Sequence, residues 1–556
     1  MWKKYFPASE WLPGYNLKIL GSDSVAGITL AAYAIPVSLA YAMLAGLPPQ
    51  YGIYGYLLGG VFYAMLGSSK QLAIGPTSAI SLLIGTTIAG MANGDLQRWA
   101  DIASLTALVF AGMSILAYFL RLSGLINFIS ETVLLGFKAG AAVAIGLTQL
   151  PKLFGVKGGA GNFFEQLISL YSQLNQTNLT VFIFGVSAIA LLLAGEKILP
   201  GRPVAIIVVI ISILLISFTP LGGAGFKTVG ILPSGLPHFQ IPSLNIRDVD
   251  GVIPLAFACF LLAYIESVSA AKTLAEKNGY EIDARQELLA LGAANLATSL
   301  GQGYPVSGGL SQSAVNDKAG AKTPVSLLFA STVIALCLLF LTGLLKNLPN
   351  VILACVVLVA IRGLVDVKEF IHLWKKHRTD FAIAMIAVIG VLVFGILKGV
   401  LIAAVTTLLL MIKSVTKPHV AFLGRIPGTR RYTDINRHPD NESIPGILLF
   451  RVEASLLYFN ADNIRNSVWS QIKGSDPSLH TVIWDLSTSP FVDREGARLI
   501  KRLTTDLSAK GISLKIAEAH AEVRDMLRSE GIEHLLGHIS RKDSVEELVN
   551  EAVGVK

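Results

Sequence analysis

The chain has 556 residues, of which 53% are hydrophobic and 15% are charged, and its mean hydropathy is +0.61. This composition is too apolar and too poor in charge for a soluble protein of that length, so it predicts a multi-span membrane protein. The formal net charge is +8. Most basic residues lie in short segments between apolar runs, where they act as topology signals, and this argues against a nucleic-acid partner.

Cysteines and histidines give no sign of a disulfide framework or a bound cofactor. The three cysteines, Cys259, Cys337 and Cys355, lie within apolar runs, where we expect them to be packing residues. None of the nine histidines lies in an expected span, which argues against an intramembrane haem or two-metal enzyme with ligands on facing helices. The sequence therefore predicts a protein that is not an enzyme and needs no cofactor.

The N-terminal residues 1–21 combine Trp, Phe and Lys with Pro7 and Pro13, which is typical of a short interfacial segment. They lack the continuous apolar core and the cleavage site of a signal peptide. The transmembrane part is expected at residues 22–413. Its first apolar run follows Asp23 and is long enough to cross ~30 Å of hydrocarbon at ~1.5 Å per residue.

Apolar runs occur in two sets of seven, separated by a loop at 219–251 that is rich in Pro and Gly. After the first run, the first set continues at 50–66, 72–90, 101–121, 125–149, 178–195 and 202–218. The second set covers 252–275, 287–302, 304–316, 324–345, 350–363, 380–396 and 398–413. Two halves with an odd number of spans have opposite orientations, so we expect an α-helical membrane protein of about 14 spans in a 7+7 inverted repeat.

The basic residues between the runs predict the orientation. If the N-terminus is cytoplasmic, the basic loops, including the cluster from Lys368 to Arg378, lie inside, as the positive-inside bias requires. Residues 362–379 then form an amphipathic helix on the inner surface.

Two of the apolar runs are interrupted at corresponding places in the two halves. Residues 71–85 read QLAIGPTSAISLLIG, and residues 303–326 read GYPVSGGLSQSAVNDKAGAKTPVS. In each, an extended entry with Gly, Pro and small hydroxyl residues precedes a helix-compatible stretch. A helix that begins inside a membrane leaves N–H groups unpaired and carries the positive end of its dipole, which favours an anion. Paired breaks are typical of a transporter's central site, whereas the alternative is two unrelated kinks.

Glu266 is the only carboxylate deep in the eighth apolar run. Intramembrane carboxylates are costly and are functional by default. A dry cavity favours the neutral, protonated form, so Glu266 is a candidate for proton coupling. The alternative is a structural role, either near the inner end of the span or in an ion pair with Lys272.

Beyond Lys413 the composition becomes that of a soluble domain. Residues 414–445 contain four prolines and are expected to be a polar linker, and residues 446–556 alternate strand and helix patterns. Strands are expected at ILLFRVEASLLYF, TVIWDLS and SLKIAEA, and helices at ADNIRNSVWSQIK, REGARLIKRLTTDLSAKG and AEVRDMLRSEG. About 110 residues suffice for an independent small α/β domain.

The first run, the GPTSAIS break, YIESVSAAKTLA and YPVSGGLSQSAVNDKAGAKTPVS together resemble the sulfate permease (SulP, solute carrier family 26) anion transporters. The C-terminal domain resembles the STAS domain. The resemblance implies core and gate domains, an anion held between the third and tenth spans, elevator-like alternating access and usually a homodimer. It implies a substrate site at Thr77, Ser78, Ala79, Gly309, Leu310, Ser311, Gln312 and Ser313.

The chain departs from the family pattern at several positions. It has Val37 where many relatives have Gln, and Gln312 where many have Arg, so a fixed cation is missing and binding is expected to be weak and to rely on dipoles. Relatives that couple to sodium carry a hydroxyl where this chain has Ala270, which favours protons, although Ser267 and Ser269 could still supply an oxygen.

The STAS-like domain departs from anti-sigma antagonists at their phosphorylated serine. This chain has Arg494 after Asp493, which excludes phosphorylation at that position and leaves Ser487 and Ser489 as weak candidates. We expect the domain to serve structure and trafficking.

These features predict a secondary active transporter of an inorganic anion, sulfate first, in the cytoplasmic membrane, with the N-terminus and STAS domain cytoplasmic. It is expected to use proton coupling or anion exchange. A bicarbonate transporter, sodium-coupled or not, an anion channel and a membrane anion sensor that signals through the STAS domain remain open. The expected partners are the anion, a proton, the lipid membrane and a second copy of the chain.

Overall fold

The computed structural model of the chain describes residues 7–92, 94–124, 131–159, 161–198, 204–220, 225–243, 248–474, 477–537 and 539–554. The chain divides into two compact units, Met1–Thr407 and Leu408–Lys556. Among the described residues, seven helices are long and apolar enough to cross a membrane. The first unit is therefore a helical transmembrane unit, in agreement with the composition.

Helices of the first half alternate with short connections, and a two-residue strand, β1, precedes α4. They are α1 (Ala8–Trp11), α2 (Leu17–Leu44), α3 (Gln50–Leu66), β1 (Ile74–Gly75), α4 (Ser78–Ala92), α5 (Leu96–Phe119), α6 (Glu131–Phe154), α7 (Phe163–Gln173), α8 (Leu179–Ile198) and α9 (Val204–Phe218). The Asn16 side chain accepts hydrogen bonds from two N–H groups of the first turn of α2. Because of this cap, α2 begins before Asp23 and includes residues that were predicted to be an interfacial segment; residues 1–6 lie outside the described residues.

The second half has the same organisation, with a two-residue strand, β2, before α12. Its elements are α10 (Val249–Asn278), α11 (Ala284–Leu300), β2 (Ser307–Gly308), α12 (Leu310–Lys318), α13 (Val325–Leu336), α14 (Thr342–Leu345), α15 (Asn350–Ile361), α16 (Val367–Lys376), α17 (Arg378–Phe394) and α18 (Ile396–Thr416). A π-helical segment, Cys337–Leu341, joins α13 to α14. Each predicted apolar run contains a helix; the run predicted at 125–149 is Glu131–Phe154, and residues 125–130 lie outside the described residues.

The helices of this unit pack in two groups. In the core group, α2–α5 pack with α10–α13, and in the gate group α6 and α8 pack with α15 and α17. Glycine permits the closest approaches: a Cβ on Gly27 would overlap the Ser326 carbonyl oxygen, and one on Gly136 would overlap the Ala384 carbonyl oxygen. Small residues let helix backbones approach in a membrane, where dispersion contacts rather than the hydrophobic effect hold helices together.

Two buried carboxylates of the core group accept hydrogen bonds from the segments that connect its helices. Asp23 accepts hydrogen bonds from the N–H groups of Lys322 and Thr323, at 2.7 and 3.1 Å, so it fixes the segment that leads into α13. Glu287 accepts from the N–H and hydroxyl of Ser68, at 2.9 and 2.7 Å, and so fixes the segment that leads into β1. Buried carboxylates are tolerated when they are hydrogen-bonded in this way.

The second unit is built on a five-stranded sheet in the order β4–β3–β5–β6–β7. The strands β5, β6 and β7 are parallel, and β3 is antiparallel to both β4 and β5. Phe450, Trp484 and Ile500 lie in the larger core on one face of the sheet, and Val549 packs against Ile483 on the other face. The elements are β3 (Val420–Arg425), β4 (Tyr432–Asp434), β5 (Ile447–Val452), α19 (Ala461–Lys473), β6 (Thr481–Asp485), α20 (Arg494–Ser508), β7 (Ser513–Ala517), α21 (Ala521–Ser529), α22 (Glu533–Leu536) and α23 (Val545–Val553).

The segment predicted as a linker, 414–445, differs from the observed structure. Residues 420–425 and 432–434 form β3 and β4, and Val420 pairs with Val452 of β5. The prolines in this segment flank the strands rather than interrupt them, so the strands keep their ladder hydrogen bonds.

The two serines considered for phosphorylation differ in exposure. Ser489 is fully buried, and its hydroxyl donates to the Ala454 oxygen at 2.9 Å, whereas Ser487 is exposed. Arg494 is the first residue of α20, whose start is capped by Asp493.

Candidate functional site

The two predicted breaks meet in the structure. Strands β1 and β2 pair antiparallel, with Ile74 opposite Gly308 and Gly75 opposite Ser307. Helices α4 and α12 start just after these strands, so the antiparallel pairing puts their N-terminal ends at opposite ends of one short ladder. Gly309 is the N-cap of α12 and offers no side chain to its first N–H groups. The start of α12 therefore keeps uncapped backbone donors, and each helix start carries the positive end of its dipole.

Side chains from neighbouring helices hold this ladder in place. Asn295 of α11 both donates to the Val306 oxygen, at 3.0 Å, and accepts from the Val306 N–H, at 2.9 Å. Ser267 of α10 accepts from the Gly308 N–H at 2.7 Å. These bonds satisfy the irregular backbone, which is tolerated at membrane depth only when protein or a cavity surrounds it.

A cavity of about 240 Å³ opens in front of the two helix starts. It lies between the core group and the gate group, because α10 and α2 contribute to one side and α6 and α15 to the other. Its lining consists of Tyr33, Tyr41, Pro76, Thr77, Ser78, Lys138, Glu266, Ser269, Ala270, Thr273, Gly309, Leu310, Ser311, Gln312, Ala360, Gly363 and Leu364.

Most predicted site residues line this cavity, but two do not. Ala79 is buried in the first turn of α4 and is absent from the lining. Ser313 is fully buried, and its hydroxyl accepts from the Ala73 N–H at 2.9 Å and donates to the Gly309 oxygen at 2.7 Å. The Ser313 side chain therefore joins α12 to β1 instead of facing the cavity.

Gln312 lines the cavity, yet its side-chain amide is occupied by protein groups. Its Oε1 accepts from the Tyr56 hydroxyl, and its Nε2 donates to the oxygens of Ala73 and Ser307, at 2.9 and 3.1 Å. The side chain is almost completely buried. Gln312 therefore stabilises the β1–β2 ladder. The sequence analysis, which noted only that many relatives have Arg at this position, did not predict this role.

Glu266 lies well inside α10 and faces the cavity. Its Oε2 accepts a hydrogen bond from the Ser307 hydroxyl at 3.3 Å, and the Ser307 hydroxyl lies 3.2 Å from the Thr77 hydroxyl. The three ion pairs of the transmembrane unit, in the part of the chain that the structure describes, do not include Glu266 or Lys272. The carboxylate is thus connected to both helix starts by hydroxyl groups.

Lys138 is a lining residue that the sequence reasoning missed. It lies on α6 of the gate group and lines the same cavity as Glu266. A lone lysine inside the apolar run ETVLLGFKAGAAVA was the available signal, since cations within a span are rare and usually functional. The site therefore combines two helix dipoles, several hydroxyls and a lysine with one carboxylate, an arrangement that can bind an anion and couple it to a proton.

Comparisons with known proteins agree with this architecture. The family model described as "Sulfate permease family" matches residues 20–387, and the one described as "STAS domain" matches residues 438–548. A probable sulfate transporter of Mycobacterium tuberculosis is 31% identical over 95% of this chain and 96% of its own length. A chloroplastic sulfate transporter of Arabidopsis thaliana is 31% identical over 96% of this chain and 80% of its own length.

Solved structures are similar at lower identity. The structure of a murine solute carrier 26 family member A9 anion transporter, in the inward-facing state, has a TM-score of 0.91 and 21% identity, and covers 99% of this chain and 94% of its own. The transmembrane domain of a cyanobacterium bicarbonate transporter has a TM-score of 0.61 and 20% identity, covering 71% of this chain and 98% of its own. At these identities the similarity concerns the fold: a helical transmembrane unit followed by a small mixed α/β domain.

Proposed function

The chain belongs to the sulfate permease family and carries a STAS domain, and from this premise we propose that it is a secondary active transporter of an inorganic anion, sulfate first. One observation carries the proposal: two helix starts in the core group face one cavity that the gate group closes from the other side. Such donors replace part of an oxyanion's hydration without holding it irreversibly. The relatives named as sulfate transporters support the choice of sulfate.

The proposed mechanism is alternating access by an elevator-like movement. Both helix starts belong to the core group, whereas Lys138 and Ala360 belong to the gate group. A displacement of the core group along the gate group would carry the anion past Lys138 and expose it to the opposite side. The proposal includes a cytoplasmic N-terminus and STAS domain, a location in the cytoplasmic membrane, and a homodimer.

Proton coupling is proposed to act through Glu266. Two like charges ~6 Å apart repel by ~3 kcal/mol at an effective dielectric constant of ~20, so an ionised Glu266 opposes a nearby anion and a protonated one does not. Tyr33, Tyr41 and Lys138 face the same cavity, and Lys138 reduces this repulsion. By linkage, each of the proton and the anion raises the other's affinity.

Transport by the purified full chain in proteoliposomes tests the proposal. We expect uptake of labelled sulfate that exceeds that of empty liposomes and rises when the outside is made acidic. Sulfate exchange without an effect of pH would indicate exchange instead of symport. Uptake of labelled bicarbonate but not of labelled sulfate would make bicarbonate, instead of sulfate, the substrate. Sulfate binding without any flux would overturn the transporter proposal and favour an anion sensor that signals through the STAS domain.

A further inference from the structure

A second and larger cavity, of about 350 Å³, lies in the gate group, where α6 ends and α8 and α15 begin. It shares no lining residue with the cavity between the two groups. Three lysines line it, and no Asp or Glu is among the described residues of its wall. The polar side chains of this lysine cavity are Thr148, Lys152, Lys157, Gln166, Lys227 and Asn350.

The positive charges in the lysine cavity lack carboxylate partners. In the described part of the transmembrane unit, the ion pairs involve Arg98, Lys277 and Arg362, and none of the cavity lysines. Lys152 donates one hydrogen bond, to Gln149 Oε1 at 3.3 Å, and its ammonium group has three protons. Three uncompensated ammonium groups in one concavity favour an anionic ligand.

The start of α15 forms part of the wall of the lysine cavity. Its N-cap, Pro349, makes no side-chain cap, and the Asn350 N–H donates to the Lys227 oxygen at 2.8 Å, which joins the helix start to the cavity wall. Asn350 Oδ1 is buried without a hydrogen-bond partner. Asn350 is partly exposed, and its unpaired Oδ1 is an acceptor, so it favours an anion only with the amide rotated by 180°, which presents its NH₂ donors.

Helix α7 indicates the depth of the lysine cavity in the membrane. It contributes Gln166 to the lining, and four exposed apolar side chains recur along it at helical spacing, beside the exposed polar residues Glu165 and Ser172. The four are Phe164, Leu167, Ile168 and Tyr171. A helix with such a face lies in the membrane interface, with its apolar side chains among the lipid headgroups and upper acyl chains. The three lysines are therefore at the level at which lipid phosphates occur.

We propose that the lysine cavity binds a phosphate-type oxyanion, supplied either by an anionic lipid headgroup or by free phosphate. Ammonium groups bind phosphate oxygens as point charges. The same helices, α6 and α15, continue to the cavity that contains Lys138, ~21 Å from Lys152 at ~1.5 Å per residue. A bound oxyanion neutralises the charge of the lysines and so stabilises the packing of α6, α8 and α15. It thereby stabilises the gate group, against which the core group is proposed to move.

The test uses purified full-length chain and the double variant Lys157→Gln/Lys227→Gln. Both lysines are exposed, so their replacement spares the packed interior. The matched control is Lys346→Gln/Lys398→Gln, which removes two exposed lysines that do not line the cavity. The probes are dihexanoyl phosphatidylglycerol, dihexanoyl phosphatidylcholine and inorganic phosphate, and the readout is the shift of the thermal unfolding temperature with probe concentration.

We expect stabilisation of wild type and control, and affinity weakened about thirtyfold in the double variant. A response to phosphatidylglycerol but not to phosphatidylcholine or phosphate identifies the lipid headgroup as the source, and a response to phosphate identifies the free anion. The proposal is overturned if neither phosphatidylglycerol nor phosphate stabilises the wild type, or if the double variant responds like the control. The readout is binding, so it does not depend on whether the chain transports sulfate.

Discussion

Replacing Gly309 by alanine tests whether the anion lies between the two helix starts. A methyl group at this position would lie 3.2 Å from Gln312 Nε2 and 3.2 Å from Thr77 Cγ2, that is, between the start of α12 and the start of α4. The backbone of Gly309 has φ −85° and ψ 136°, which any residue adopts, so the substitution introduces no backbone strain. The contacts at 3.2 Å are tight, so Gln312 or Thr77 must shift by a few tenths of an ångström, and a control with the same crowding separates this effect from the effect on the ligand.

The magnitude follows from one lost hydrogen bond. If the methyl group keeps an oxyanion from one backbone N–H, the loss is about 1.5 kcal/mol for a bond to a charged group, which weakens binding about tenfold. Gly59→Ala is a matched control, because a Cβ there also has its nearest neighbours at 3.2 Å, Ile74 Cγ2 and Val306 Cγ2, but Gly59 does not line the cavity.

The assay is titration of sulfate into both variants in detergent, with thermal unfolding as a check on folding. We expect Gly309→Ala to bind sulfate about tenfold more weakly than Gly59→Ala, which should match the wild type. Equal sulfate affinity in the two variants would refute the placement of the anion.

Three further predictions concern coupling, the ladder and the STAS domain. Glu266→Gln should keep sulfate binding but lose the rise of net uptake at acidic external pH in proteoliposomes; an unchanged pH profile would remove Glu266 from coupling. Gln312→Arg should lower the free energy of unfolding by about 1–3 kcal/mol, because arginine has no acceptor for the Tyr56 hydroxyl and would bury a charge at this position. An unchanged thermal unfolding temperature would show that Gln312 is not structural. Burial alone would raise the pKa of Asp434, but hydrogen bonds, first from His419, hold this pKa below its usual value. The resulting stabilisation is present at neutral pH and is lost as pH falls through that pKa. Protection of residues 420–434 from hydrogen exchange should therefore differ between wild type and His419→Ala at neutral pH, and the difference should shrink below about pH 4.

The transmembrane part could be predicted from the sequence because its signals are local. Long apolar runs determine which residues form helices in a membrane, and the Gly-Pro break before Ser78 and the Gly-Gly break before Leu310 mark the starts of α4 and α12. The exact start of α2 was missed, since it depends on the single cap residue Asn16.

The orientation of individual side chains at the site depended on distant contacts. Gln312 looked like a weak substitute for a cationic ligand, whereas its amide bonds to Tyr56 and Ala73, residues far away in sequence. Lys138 reaches the cavity only because α6 packs opposite α10. The apolar run around Lys138 marks it as unusual, but the residues next to Lys138 and Gln312 do not determine which groups their side chains meet.

The strands at the start of the second unit were missed for a similar reason. The short segment VAFLGR lies among prolines and polar residues, and local composition therefore favoured a linker. Its pairing with β5 joins Val420 to Val452 across a long stretch of chain, and tertiary pairing of this kind overrides a weak local preference.

An experimental structure of the full chain in selenate, an electron-dense analogue of sulfate, would show whether an oxyanion binds where α4 and α12 begin. We expect density for one selenate within hydrogen-bond distance of the backbone N–H groups of the first turns of α4 and α12, close to Thr77 and Ser311. A structure at saturating selenate with no density in this cavity, in a preparation that binds selenate in solution, would contradict it.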